Sequence, residues 1–295
     1  MKKLFILPGM LLFAGLVFLS SCSDDEDEKP GDPTMSLLIE NGYISENTTA
    51  GYGDTLRFLI YNVYNGTDML THFKASMNDF ATIDSTISIK NFTIEIITTK
   101  TIEPSEVWKF EVTDNAGNKT DYSLTVTGDF GPIYTYTNVM VGAQDNPTVE
   151  SFVSYSNDTV TKYFQADAFD HQADIDMFCF FENTPEHPNM MTLAAPGSNI
   201  TGIFTGATAP DNYTIKNVTF YVQTTMTALE FDAIENDARV LAAFDPENKY
   251  KKANKLDPGD VVAFWLQSGR YGLLKVTNVA GTENGTLRFD VKIQE

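Results

Sequence analysis

Asp167, Asp170, His171, Asp174 and Asp176 form the densest run of chemistry-bearing side chains in the sequence. Carboxylate oxygens suit Ca²⁺, and a carboxylate set with one His suits a transition metal. The spacing lacks the Asp-x-Asp-x-Asp-Gly pattern of a calcium loop, and Asp176 alternates with apolar Ile175 and Met177 as at a strand entrance. The run therefore reads as a solvated acidic loop, with Asp167, Asp170, His171 and Asp174 as weak metal candidates and no cofactor expected. His72 and His187 read as isolated loop residues and receive no role. With 40 Asp and Glu in the chain, carboxylate pairs at glycosidase-like separations arise by chance, so the sequence singles out no two-carboxylate mechanism. His-Glu-x-x-His, Gly-x-Ser-x-Gly, Walker and dinucleotide-binding glycine motifs are absent from the sequence. The chain reads as non-catalytic, a hydrolase being the less favoured alternative.

Aromatic side chains offer a different chemistry, stacking on the apolar faces of pyranose rings. Trp265, Tyr271, Tyr134, Tyr136 and Tyr163 are the candidates in the second half. Against this, Trp265 lies between Phe264 and Leu266, and large aromatics dominate cores. Trp108 reads as core.

The two cysteines divide by context. Cys179, within Phe178-Cys179-Phe180-Phe181, reads as a small buried hydrophobe rather than a nucleophile. Cys22 ends Leu19-Ser20-Ser21-Cys22, after Met1-Lys2-Lys3 and an apolar run from Leu4 to Leu19. A basic head, a short apolar core and small residues before a cut describe a secretory signal, and a Cys directly after the cut describes a lipoprotein signal. Pro8-Gly9 interrupts the run, which is shorter than the roughly 20 apolar residues that span a bilayer. Residues 1–21 are thus expected to be removed and Cys22 to carry the lipid that holds the chain on a membrane. With Cys22 acylated, a lone thiol supports neither a disulfide nor a cysteine zinc site.

The formal charge of −20 argues against nucleic acid, whose binding rests on cationic neutralisation of phosphates. It argues equally against adhesion to anionic lipid through basic patches.

The elements that must position any site are strands. Residues 22–34 are acidic with Pro30, Gly31 and Pro33, a tether reaching roughly 40 Å when extended. Within 35–128, strands are expected over Met35–Glu40, Thr55–Val63, Ser85–Ile97, Val107–Thr113 and Thr120–Thr127, between turn residues. Trp108, Phe110 and Val112 share one face opposite Lys109 and Glu111, and Asp114-Asn115-Ala116-Gly117-Asn118 turns the hairpin. Gly128–Pro132 reads as a boundary. Residues 133–295 read as a second β-rich domain, sandwich or barrel-like, with one short helix from a Thr227–Glu230 capping box to about Phe244. Val261–Leu266 is apolar on both faces and predicts a strand buried on both sides, in a hairpin with Tyr271–Val276 through Gln267–Arg270.

Five resemblances rest on these residues. Ser23-Asp24-Asp25-Glu26-Asp27-Glu28 resembles the acidic export signal of Bacteroidota surface lipoproteins. Val112-Thr113-Asp114-Asn115-Ala116-Gly117-Asn118 resembles the closing turn of bacterial immunoglobulin-like modules, which implies an Ig-like β-sandwich over 35–128 acting as a spacer. Asp260–Phe264 and Arg270–Val276, with Ile175–Phe178, resemble the C-terminal domain of uncharacterised Bacteroidota lipoproteins. An Ig-like module followed by a β-rich domain also resembles the surface glycan-binding proteins of starch-utilisation-type systems. These resemblances imply a surface lipoprotein whose last domain binds an extracellular glycan or, alternatively, packs on another envelope protein. Asp54-Thr55-Leu56, Asp84-Ser85-Thr86 and Asp158-Thr159-Val160 are similar to the O-glycosylation acceptor of such proteins, making Thr55, Ser85 and Thr159 candidates.

Overall fold

The computed structural model describes residues 32–62, 69–156 and 158–295. The expected signal sequence and Cys22 lie outside them. The chain divides between Asp129 and Phe130 into two compact units. As the sequence implies, both are built mostly of β-strands.

The first unit holds eight strands: β1 (Ser36–Leu37), β2 (Thr48–Ala50), β3 (Thr55–Tyr61), β4 (Leu70–Met77), β5 (Phe80–Ile89), β6 (Thr93–Thr99), β7 (Ser105–Asp114) and β8 (Lys119–Gly128). They form a sandwich of two sheets, ordered β1-β3-β6 and β2-β8-β7-β4-β5. Successive side chains of a strand point to opposite faces, and β7 alternates buried and wet along its length. Its Trp108 and Phe110 meet Phe58 of the facing sheet at ring-centroid distances of 5.1 and 5.4 Å. Gly117 turns the β7–β8 hairpin at φ +87°, a backbone region that favours glycine.

The stretch expected as one strand over Ser85–Ile97 is two strands in different sheets, β5 and β6. The chain crosses between the sheets at Lys90-Asn91, where the Phe92 amide donates to Asn62 Oδ1 at 2.6 Å.

The second unit carries β9 (Ile133–Gly142), β10 (Phe152–Ser156), β11 (Thr159–Tyr163), β12 (Met177–Glu182), β13 (Met190–Ala194), β14 (Phe220–Gln223), β15 (Lys252–Ala253), β16 (Val261–Trp265), β17 (Tyr271–Ala280) and β18 (Thr286–Gln294). Two five-stranded sheets result, ordered β11-β10-β12-β13-β15 and β14-β16-β17-β18-β9. This is an open sandwich, not a closed barrel. Met177, Cys179, Leu193, Val262, Phe264, Leu274 and Phe289 fill the space between the sheets.

Both outer faces are covered as well. Phe204, Ala209 and Tyr213 pack on Phe152, Phe178 and Phe180 of the first sheet. Phe231, Ile234, Val240 and Phe244 pack on Val261, Ala263 and Leu273 of the second. β12 and β16 are therefore buried on both faces, the arrangement the apolar pattern of Val261–Leu266 predicts. Burying a Phe or Leu side chain contributes roughly 1.5–3 kcal/mol, so these layers hold the unit without covalent staples.

Three short helices occur among the described residues, α1 (Gln165–Asp170), α2 (Ala228–Asp232) and α3 (Asp237–Ala243). The segment expected as one helix is α2 and α3, because Asn236 starts a second helix by accepting from the Ala238 amide at 3.1 Å. The Thr227–Glu230 capping box forms as expected, with the Thr227 amide on Glu230 Oε2 at 2.8 Å and the Glu230 amide on Thr227 Oγ1 at 3.2 Å. Lys292 Nζ donates to the carbonyls of Asp232 and Ile234 at 3.0 and 2.5 Å, which ties the end of α2 to β18.

Candidate ligand cleft

Both sheets of the second unit end in an edge strand near one segment, Lys249–Lys255. Tyr250 forms an antiparallel bridge with Tyr221 of β14, their amides and carbonyls exchanging two hydrogen bonds of 2.8 Å. Two residues later the chain pairs with β13, Ala194 opposite Lys252 and Leu193 opposite Ala253. The segment thus stitches the edge of one sheet to the edge of the other. Pairing at Tyr250, Lys252 and Ala253 fixes where the side chains of this segment leave the backbone.

Against it opens a cleft of about 760 Å³, within the range of small-molecule sites. His187, Gln223, Tyr250, Lys251, Asn254 and Lys255 line it with polar groups, and Ile200, Tyr221 and Val262 with apolar surface. Tyr250 is 68% exposed, so its ring is accessible. Ser198 Oγ donates to the Lys251 carbonyl at 2.7 Å, and Lys251 Nζ reaches the Gly197 carbonyl at 3.3 Å. Asn254 Nδ2 lies 3.3 Å from His187 Nδ1. Lys252, also on the wall, grips both oxygens of the nearly buried Glu182 at 2.8 and 3.0 Å. Asp257 and Asp260 also line the cleft, with Asp260 Oδ2 accepting from the Asp257 amide at 2.9 Å. Lys255 sits at φ +56°, a conformation uncommon for a residue with a Cβ.

The aromatic residues expected to stack on sugars fall in three places. Trp265 and Tyr271 are cross-strand partners, with rings 5.7 Å apart and 6° from parallel. Phe220 continues the stack on Trp265 at 5.8 Å. Phe244 meets both Trp265 and Tyr271 edge-on, at 6.1 and 5.3 Å, and Lys249 Nζ lies 5.0 Å from the Phe220 centroid and 5.4 Å from that of Trp265. The rings of this ladder face one another and Lys249, half-buried against the cluster that Val240 and Phe244 form on this sheet. Tyr134 and Tyr136, 6.4 Å apart, pack on the inter-sheet core, where burial raises the Tyr136 pKa. Tyr163 stacks on His171 at 4.8 Å.

The acidic run disperses. Asp167 and Asp170 ride on α1, while His171 Nδ1 lies 3.6 Å from Asp174 Oδ2 on an exposed surface. No group of three His, Cys, Asp or Glu positioned for a metal occurs among the described residues. Asp176 leaves the run altogether. It is 8% exposed, its Oδ2 accepts from the Tyr155 amide at 2.7 Å, and burial raises its pKa from 3.8 to about 6. Cys179 is fully buried, which pushes its thiol pKa up and leaves it inert at neutral pH. Thr55, Ser85 and Thr159 are all exposed, Thr159 with its hydroxyl on the Ser156 carbonyl at 3.0 Å.

The cleft residues escape sequence reasoning, which assigns His187 no role and passes over Tyr250. A signal exists: Lys249, Lys251, Lys252 and Lys255 place four of the chain's 20 basic residues within seven positions.

No family model and no curated protein matches the chain. A solved structure, a SusE-like protein, aligns with 85% of this chain and 96% of its own at 13% identity and a TM-score of 0.19. So loose a superposition carries no argument about fold or function. No helix among the described residues is long and apolar enough to cross a membrane, which says nothing of strands that could.

Proposed function

We propose that this chain is a non-catalytic lipoprotein of the outer-membrane surface, tethered through acylated Cys22, whose second unit binds an extracellular glycan. The first unit, an Ig-like module by its closing turn, serves as the spacer. The single observation that supports the binding role is the cleft beside Lys249–Lys255. It offers an exposed aromatic ring, side-chain amides and cations on a backbone fixed by two sheet edges, the ingredients of a site that selects a polar ring-shaped ligand. The address rests on the signal pattern before Cys22 and the acidic run after it.

Full-length chain in a sugar-free detergent, titrated calorimetrically against a panel of neutral and acidic polysaccharides, tests this reading. Saturable binding to at least one member, lost in Tyr250→Ala and retained in Trp265→Phe, is the expected result. Absence of binding to every member overturns it.

A second reading, an envelope assembly component, is favoured by one feature of the first unit. β5 is the edge of its sheet, ten residues long and mostly exposed, with Phe80 78% exposed. Long exposed edges invite pairing with another strand. Crosslinking on intact cells through a photoreactive residue at Thr82 tests it, and a specific protein adduct is the outcome it requires.

A further inference from the structure

Lys251 and Lys255 stand at the mouth of the cleft in a chain of net charge −20. Lys252 is occupied by Glu182, and Lys249 is turned to the Phe220 and Trp265 rings. Lys251 holds one carbonyl at 3.3 Å, leaving two further ammonium donors. Lys255 sits at φ +56° and lines the cleft. Asp257 and Asp260 line the same cleft, and Asp260 Oδ2 is engaged by the Asp257 amide.

A flat ring (Tyr250), amides (Gln223 and Asn254) and two cations together match a sugar ring carrying a negative group. An acidic molecule repels anions at long range, so the ammonium groups of Lys251 and Lys255, on a wall they share with Asp257 and Asp260, act as local selection. A long nucleic acid would meet that repulsion along its whole length, whereas a saccharide enters the cleft alone.

We infer that the cleft selects anionic saccharides, with Lys251 and Lys255 pairing with a carboxylate or sulfate of the bound sugar. This rests on the reading of the cleft as a glycan site.

The test uses the full-length chain in a polyoxyethylene detergent and three probes: oligogalacturonate, its methyl-esterified form, and a chondroitin sulfate oligosaccharide. The ester keeps the sugar backbone and removes the charge, and the sulfate arm separates the two anionic groups. At least one anionic probe is expected to bind saturably and more tightly than the ester. Binding should weaken in high salt, as exposed charge pairs do. Lys251→Gln with Lys255→Gln should weaken it roughly tenfold, the combined scale of two exposed ion pairs, while Lys251→Arg with Lys255→Arg retains it. Both positions are exposed, so the fold tolerates these changes. Equal binding of ester and acid, or indifference to the Gln pair, overturns the inference. A neutral polysaccharide bound through Tyr250 under those conditions leaves the glycan reading standing; silence from every neutral and acidic probe removes both.

Discussion

Asp176 shows how one buried carboxylate governs behaviour with pH. In the unfolded chain it ionises near its usual 3.8, and in the folded chain only near 6. Between those values the folded state holds the extra proton, so stability falls as the pH climbs through this window and the full loss is present above it. A rise of that size corresponds to about 3 kcal/mol. Asp176→Asn, which can still accept from the Tyr155 amide, should therefore stabilise the second unit at pH 7.5 and lose that advantage by pH 4. Urea unfolding followed by Trp265 fluorescence in a Trp108→Phe background measures it. Equal gains at both pH values would contradict the assignment.

The first unit has its own buried charges, Lys100 and Glu106, 3.3 Å apart with side chains fully buried. Glu106 also accepts from the Thr101 amide and hydroxyl, both at 2.7 Å, and from Trp108 Nε1 at 3.1 Å. Removing one partner of such a pair costs about 3–5 kcal/mol. Lys100→Met should lower the stability of the first unit by that order in denaturant titration, without altering glycan binding.

Elements are legible in the sequence where their period is unbroken. β7 alternates without fault, and the apolar run of β16 announces a strand covered on both faces. β4 escapes notice because its register shifts between Leu70 and His72, which puts successive side chains out of step with a period of two. Ser85–Ile97 reads as one strand since β-branched residues run up to Ile89 and resume at Thr93, and only tertiary contacts reveal that Lys90-Asn91 changes sheets.

The pairing of the lysine-rich segment is opaque for another reason, although its clustered charge stands out in the sequence. The segment's role comes from pairing with two strands distant in sequence, and nothing in its own composition states that. The ladder carries an element-scale prediction through Gly272, which faces Phe264 across β16 and β17. A Cβ there would stand 2.2 Å from the Phe264 ring. Gly272→Ala should cost about 1–3 kcal/mol through overpacking, read as a lowered midpoint for the second unit alone. At the opening of α2, Thr227→Ala should cost about 1 kcal/mol, and Thr227→Ser should restore it.

At the scale of the whole molecule, the proposed function joins an anchor, a spacer and a binding unit along one chain. The anchor implies that Cys22→Ser leaves the protein out of the membrane fraction, which fractionation and labelling with an alkyne fatty acid would detect. A net charge of −20 disfavours phosphate backbones at long range, while the cleft of the second unit places Lys251 and Lys255 on its wall. The central claim is that this cleft, and no other surface, receives the ligand. Hydrogen–deuterium exchange on the full-length chain, with and without the tightest-binding saccharide, tests it most directly. Slowed exchange is expected at Gln223, at 195–198 and across 249–255, with β5 unchanged. Protection confined to Phe80–Ile89, or to Tyr134 and Tyr136, would contradict it.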